Sequence, residues 1–293
     1  MDKLYRMVRA DGFCFKLFGV TLGVRTSQLS SISRIRAQLP PGSRVTAARK
    51  VDRLYSFLIA SNPSRAGTHL LHLLYVNSQR LARTGDESEL MQIFASDFSF
   101  HVATTSPNRL FVHAGVVGWK GKAIVIPGRS FSGKTTLVKE FLRQGATYYS
   151  DDFAVIDSRG YVYPFIKPLG IRDDHSQKQA SVAAEQLGCP VGIKPLQIEF
   201  VLLTHYNKTA RWHPRSVSRG QAVLNLLQNS FSVREKPEVA LAFADAAVRN
   251  ATILASVRGE AEEVVRSVLF CSIRVLNQDF ATRIIQPQRE GYG

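Results

Sequence analysis

Eight consecutive residues, Gly128-Arg129-Ser130-Phe131-Ser132-Gly133-Lys134-Thr135, constrain this chain more than any bulk property does. They fit G-x-x-x-x-G-K-[ST] without substitution, between the apolar run Ala123 to Ile126 and a segment of helical spacing. That context predicts a strand, a tight turn and a helix. Gly128 and Gly133 permit a backbone path that turns amides inward, where they and the helix N-terminus surround phosphate oxygens. Lys134 supplies an ammonium to the outer phosphates, and Thr135 offers a hydroxyl to magnesium. The expectation is a nucleoside triphosphate, ATP, held with Mg2+ by Gly128 to Thr136. A chance glycine-rich turn is the bland alternative, and the strand-loop-helix setting weighs against it.

The flanking residues extend this unit. Phe111 to Trp119 and Ala123 to Pro127 predict a hairpin, with its turn in Trp119 to Lys122, whose second strand feeds the loop. Leu137, Val138, Phe141 and Leu142 predict a helix over Thr136 to Gln144, stopped by Gly145. Ala146 to Tyr149 begins the next strand, which ends at Asp151-Asp152; Phe153 to Ile156 and Tyr161 to Tyr163 flank a turn at Asp157 to Gly160. Further on, Arg172 to Gly192 reads as polar and irregular at its start, Ile198 to Thr204 as a strand and Ser218 to Gln228 as a helix. Residues 237 to 257 and the region around Glu262 to Leu269 read as helix with a strand nearby. Upstream, Phe13, Phe15 and Leu17 alternate as in a strand, and Tyr55 to Ile59 reads as another. Leu70, Leu73, Leu74 and Leu81 suggest a helix. The division this implies is an N-terminal α+β region over 1–105, packed on or extending the main sheet, and a nucleotide-binding domain over 106–293.

Asp151 and Asp152 lie 17 and 18 positions after Lys134. A helix and a short strand would return them to the loop, where one carboxylate can hold magnesium and the other can orient or deprotonate an attacking hydroxyl. Neighbouring side chains on a regular strand point oppositely, so both serve one site only if the strand ends or bends there. His113 stands in the strand expected to pair with the one before the loop; a structural histidine and a metal neighbour or base are both open readings. Arg172 in Pro168-Leu169-Gly170-Ile171-Arg172 could stabilise phosphoryl charge or pair with Asp173 or Asp174. Arg129 either faces solvent or touches phosphate. Tyr148 and Tyr149 read as sheet packing, and His205 and His213 make no persuasive zinc set.

Composition bounds the partners rather than naming them. The formal charge of +15 over 293 residues favours acidic partners, but the basic residues are dispersed and no nucleic-acid-binding motif is visible. No stretch approaches the roughly 18 apolar residues of a membrane span, and no secretory signal is evident, so a cytoplasmic protein is expected. Three scattered cysteines, Cys14, Cys189 and Cys271, form neither a disulfide framework nor a metal motif.

With His113-Ala114-Gly115-Val116, Gly121 to Thr136 and Arg143 to Asp152 in order, the chain resembles the catalytic domain of the HPr serine kinase/phosphorylase family, and more closely its smaller HprK-like relatives. The resemblance implies an α/β, carboxykinase-like fold with a mixed, strand-rich core and surrounding helices. It also implies ATP-dependent phosphorylation of a hydroxyl, usually serine in a protein or peptide. By that resemblance His113 corresponds to the active-site histidine, Lys134 to the phosphate-binding lysine, Thr135 to the metal-contacting hydroxyl, and Asp151 and Asp152 to the acidic pair. Phe131 stands where the family has a small residue, and the family's longer signature after the acidic pair is not found. A small-molecule acceptor and a non-catalytic ATP-binding regulator are the competing functions. The resemblance also permits a homo-oligomer.

Overall fold

The computed structural model describes residues 11–60, 71–129, 132–167, 169–172, 179–182 and 188–271. Alternation at Phe13, Phe15 and Leu17 produces strand β1 (Asp11–Leu17), which turns through Phe18 and Gly19, both at positive φ (46° and 91°), into β2 (Val20–Thr26). Two left-handed residues give the turn whose twist matches an antiparallel hairpin. A short helix, α1 (Ile32–Arg36), leads to β3 (Arg44–Thr46) and β4 (Arg53–Leu58). Strands β5 (His72–Val76) and β6 (Gln79–Thr84) complete a six-stranded sheet of order β3-β1-β2-β4-β5-β6. Helix α2 (Glu87–Thr105) starts where the Asp86 side chain accepts from Ser88 N at 2.8 Å. It lays Leu90, Met91, Phe94, Phe98 and Val102 on the sheet, with Phe94 edge-on to Tyr55 and Phe57.

The helix expected from Leu70, Leu73, Leu74 and Leu81 is therefore not formed over the described part of that stretch; it is the β5–β6 hairpin, and Leu70 lies outside the described residues. Asn77 at φ 53° makes the turn, and Leu74 pairs with Ala82 with both buried. Pairing with β4 outweighs leucine's local helix preference.

A second, eight-stranded sheet carries the phosphate-loop motif. Strand β7 (Leu110–Trp119) is buried on almost every residue because it is covered on both faces. It pairs antiparallel with β8 (Lys122–Pro127), after which the loop runs into α3 (Lys134–Arg143), ended by Gly145 at φ 89°. The chain returns as β9 (Thr147–Ser150), β10 (Phe153–Ile156) and β11 (Tyr161–Tyr163). β12 (Leu169–Arg172) and β13 (Gln179–Val182) pair as a separate ribbon, so the stretch expected to be irregular contains strand at both ends of the undescribed 173–178. β14 (Leu196–Tyr206), β15 (Arg215–Ser216), α4 (Arg219–Gln228), α5 (Pro237–Val248), β16 (Thr252–Arg258) and α6, over 261–271, follow.

β8, β14 and β16 run parallel, so their carboxyl ends, at the loop, Tyr206 and Arg258, open on one side. Ligand crevices of α/β sheets lie at such ends. One core joins the sheet to α3 and α6 through Phe141, Phe200 and Val265, and another joins it to α4 and α5 through Val112, Leu226 and Ala244. A third crosses between the two sheets, uniting Phe15, Leu22 and Phe98 with Phe111, Phe153, Val155 and Phe165. Among the described residues no helix is long and apolar enough to cross a membrane.

Candidate functional site

The loop is tied at both ends. Gly128 N donates to the His113 carbonyl at 3.1 Å, which links it to β7. Gly133 is left-handed at φ 85° and delivers the chain into α3; a Cβ there would collide with the Arg258 guanidinium. Gly115 on β7 faces α3, where a Cβ would press on Val138, so glycine lets the helix approach the strand. Lys134 opens α3, is buried, and donates from Nζ to the Arg129 carbonyl at 2.7 Å. The Ser132 hydroxyl is buried with no hydrogen-bond partner among the described residues. Thr135 is half-buried; Thr136 and Arg129 are exposed. Ser130 and Phe131 lie outside the described residues.

The acidic pair sits beside this loop because β9 and β10 run one after the other along one edge of β7, with a register shift inside β9. Val117 pairs with Tyr148, Val116 with Ser150, and His113 with Phe153. The extra residue is a bulge at Tyr149, and bulges re-aim side chains. The corner is held by the Ser150 hydroxyl, which accepts from the Asp152 and Phe153 amides at 3.2 and 2.9 Å. The Asp152 carbonyl accepts from Ala114 N at 3.2 Å. Asp151 is buried, and the Tyr148 hydroxyl lies 3.0 Å from its Oδ1. Asp152 keeps 49% of its side chain exposed. The two carboxylates thus differ in kind: one is enclosed and hydrogen-bonded, the other open to solvent.

Charge couples the group. Burial holds the Lys134 ammonium below its ordinary pKa, opposed by Asp152 and then Asp151. Burial also lowers His113, helped by Lys134 and opposed by Asp152, so its imidazole is neutral near pH 7. Burial and the adjacent Asp151 carboxylate push the Tyr148 phenol far up, leaving it a hydrogen-bond donor. His113, Lys134, Asp151 and Asp152 therefore share one crevice. Arg172 ends β12, whose ribbon pairs with neither large sheet among the described residues.

These donors suit a magnesium ion shared with phosphates. Two carboxylates and the Thr135 hydroxyl are hard oxygen groups of the kind magnesium takes beside substrate phosphates. The unpartnered Ser132 hydroxyl and the left-handed Gly133 fit an anion cradle at the α3 N-terminus.

No family model matches this chain, and no curated protein does. Among solved structures that resemble it is the Hpr(Ser) kinase/phosphatase from Coxiella burnetii, with a TM-score of 0.34 and 11% identity, over 60% of this chain and 99% of that one. That is a weak, partial likeness of fold. It assigns no residue a role.

Two residues of the crevice escaped the sequence reading. Arg258, at the end of β16, is fully buried; it donates from Nη2 to the Gly133 carbonyl and from Nη1 to the Gly259 carbonyl, at 2.8 and 2.9 Å. It thereby braces the turn into α3 from 125 residues away. Lys167 places Nζ 3.9 Å from Asp152 Oδ2 with 19% of its side chain exposed. Burial lowers its pKa, opposed by Asp152 and Asp151. No spacing relative to the loop marks either residue; a basic residue before Pro168 was the one visible hint of the second.

Proposed function

We propose that this protein is an ATP- and Mg2+-dependent kinase that phosphorylates a serine or threonine hydroxyl of a protein or peptide. The observation that carries the reading is the bend at Asp151-Asp152 between β9 and β10, where an enclosed and an open carboxylate both act on the buried ammonium of the Gly128–Thr135 loop.

In this reading the loop amides and Lys134 hold the outer phosphates. Thr135 and Asp151 would be the oxygen donors for Mg2+, which would supply charge neutralisation at the phosphates when bound. Asp152, being open to solvent, meets the acceptor and takes the hydroxyl proton as the oxygen bonds to the terminal phosphorus; the bond from phosphorus to the bridging oxygen breaks, and ADP leaves. Asp151 is held by Tyr148 and stays on the metal side. His113, neutral beside Asp152, orients that carboxylate. The exposure of Asp152 leaves room for a peptide acceptor, which an enclosed base would not admit.

The test is transfer of labelled γ-phosphate from ATP to a panel of serine- and threonine-containing peptides and to a small-alcohol panel. Lys134→Ala should lose nucleotide affinity, and Asp152→Asn should keep it while transfer falls about 10²–10⁴-fold. Unchanged transfer in both variants would refute the site. Transfer confined to small alcohols would overturn the acceptor class alone.

A further inference from the structure

Lys167 holds a largely buried ammonium, with aromatic rings on its walls and one weak ion pair, that an anion would stabilise further. An ammonium carries three donors, and no described residue accepts a hydrogen bond from its Nζ. Its ion pair with Asp152, at 3.9 Å and half-open to water, returns little for the desolvation of a largely buried charge. Its walls are aromatic: Nζ is 4.9 Å from the Phe153 ring centroid and 5.7 Å from that of Phe165. Its backbone is fixed to the acidic pair, because the Tyr148 hydroxyl lies 3.0 Å from both the Lys167 carbonyl and Asp151 Oδ1. Lys134 reaches the pair from α3; Lys167 reaches it from the segment after β11, on the side of the exposed carboxylate.

The seat of Lys167 is built by the N-terminal sheet. Phe18, thrown outward by the left-handed β1–β2 turn, stacks on Phe165 at 6.3 Å and 26°. It also meets Phe111 and Tyr163 edge-on, at 5.7 and 6.1 Å. Phe165 in turn lies edge-on to Phe153 at 5.2 Å. The Phe18 carbonyl accepts from Ser106 Oγ at 2.7 Å, which pins the hairpin tip to the connection between the sheets. Both rings that face the Lys167 ammonium thus rest, directly or through one neighbour, on a residue of the first sheet.

We propose that Lys167 is a second phosphate-binding cation, set on the acceptor side to hold the phosphoryl group in transfer, and that the N-terminal sheet positions it through Phe18. The proposal rests on the phosphotransfer reading, but its ligand chemistry, a tetrahedral phosphate dianion beside Asp152, can be tested apart from it. Lys167 donates to an equatorial phosphoryl oxygen while Lys134 stays on the nucleotide side; it is neither donor nor acceptor of the transferred proton.

The experiment uses the full chain as parent, Lys167→Met, Lys167→Arg, Phe18→Ala and the double variant F18A/K167M. Affinity for ADP with Mg2+ should stay within about threefold of the parent in Lys167→Met, because the loop is untouched. Affinity for inorganic phosphate, measured by calorimetry on the ADP-bound chain, should fall at least about tenfold, the loss of one charge-assisted hydrogen bond. Transfer should fall about 10²-fold in kcat with partial rescue in Lys167→Arg. Phe18→Ala should weaken phosphate binding and transfer, and F18A/K167M should be no worse than Lys167→Met in either, as expected when one residue acts through the other. Phosphate affinity unchanged in Lys167→Met would overturn the cation role, and additive losses in the double variant would overturn the role of Phe18. If the parent binds phosphate through Lys167 yet transfers to no acceptor, the kinase reading fails and the anion site stands.

Discussion

His113 shows how a single residue's surroundings set its chemistry. Its amide donates to the Asn229 carbonyl at 2.7 Å and its carbonyl accepts from Gly128, so the backbone is committed on both sides before the ring does anything. The ring lies 6.2 Å from that of Phe231, and burial with Lys134 nearby keeps it neutral. Stability carries the signature. Between the lowered folded pKa and the ordinary value of about 6.5, the unfolded chain binds more protons than the folded one, so stability rises with pH across that window and falls as pH drops through it. Urea midpoints at about pH 7.5 and 5.5 should therefore differ less in His113→Gln than in the parent. His101, also lowered by burial, keeps part of the slope in both proteins. An equal slope in the two would show that His113 titrates normally. Arg258 and Gly133 make the same point sterically: the left-handed φ of 85° favours glycine, and the Arg258 guanidinium fills the space a Cβ would take.

Elements obeyed their local signals where those signals carried geometry. The α4 start is a capping box: the Ser218 hydroxyl accepts from the Gln221 amide, and Gln221 reaches back to the Ser218 amide at 3.2 Å. Ser218→Ala should cost about 1 kcal/mol in the unfolding free energy and leave nucleotide affinity unchanged, since α4 lies on the face opposite α3. A loss of affinity would show that α4 reaches the crevice. The hairpin around the loop, the strand before it and the helix after it form where glycine, alternation and helical spacing predict them. The β5–β6 hairpin departs from the expected helix because Leu73 and Leu74, spaced as on a helix face, pair with Leu58 and Phe57 of β4, a neighbour remote in the chain. The bulge at Tyr149 had no local signal either; it follows from fitting β9 and β10 to one edge of β7.

At the scale of the molecule, the two sheets are separate in hydrogen bonding and joined in packing. Phe111, Phe153, Val155 and Phe165 complete a core otherwise made of residues 13–103. Residues 106–293 alone would expose these aromatics, and each buried large apolar side chain contributes roughly 1.5–3 kcal/mol. That fragment should bind a hydrophobic dye and melt without a sharp transition, while the full chain unfolds in one cooperative calorimetric step. A fragment that melts sharply at the parent's Tm would show that the shared core is dispensable.

The sequence by itself determined the phosphate-loop motif, the strand and helix that flank it, and an acidic pair one helix and one strand later. It could do so because glycine freedom, helical spacing and chain order are local properties of the residues. Only the tertiary structure decided that Asp151 is enclosed while Asp152 is open, that Arg258 braces Gly133, and that Phe18 underlies the seat of Lys167. Those relations join residues as much as about 150 positions apart, and burial and charge coupling arise only once the sheets have closed on one another.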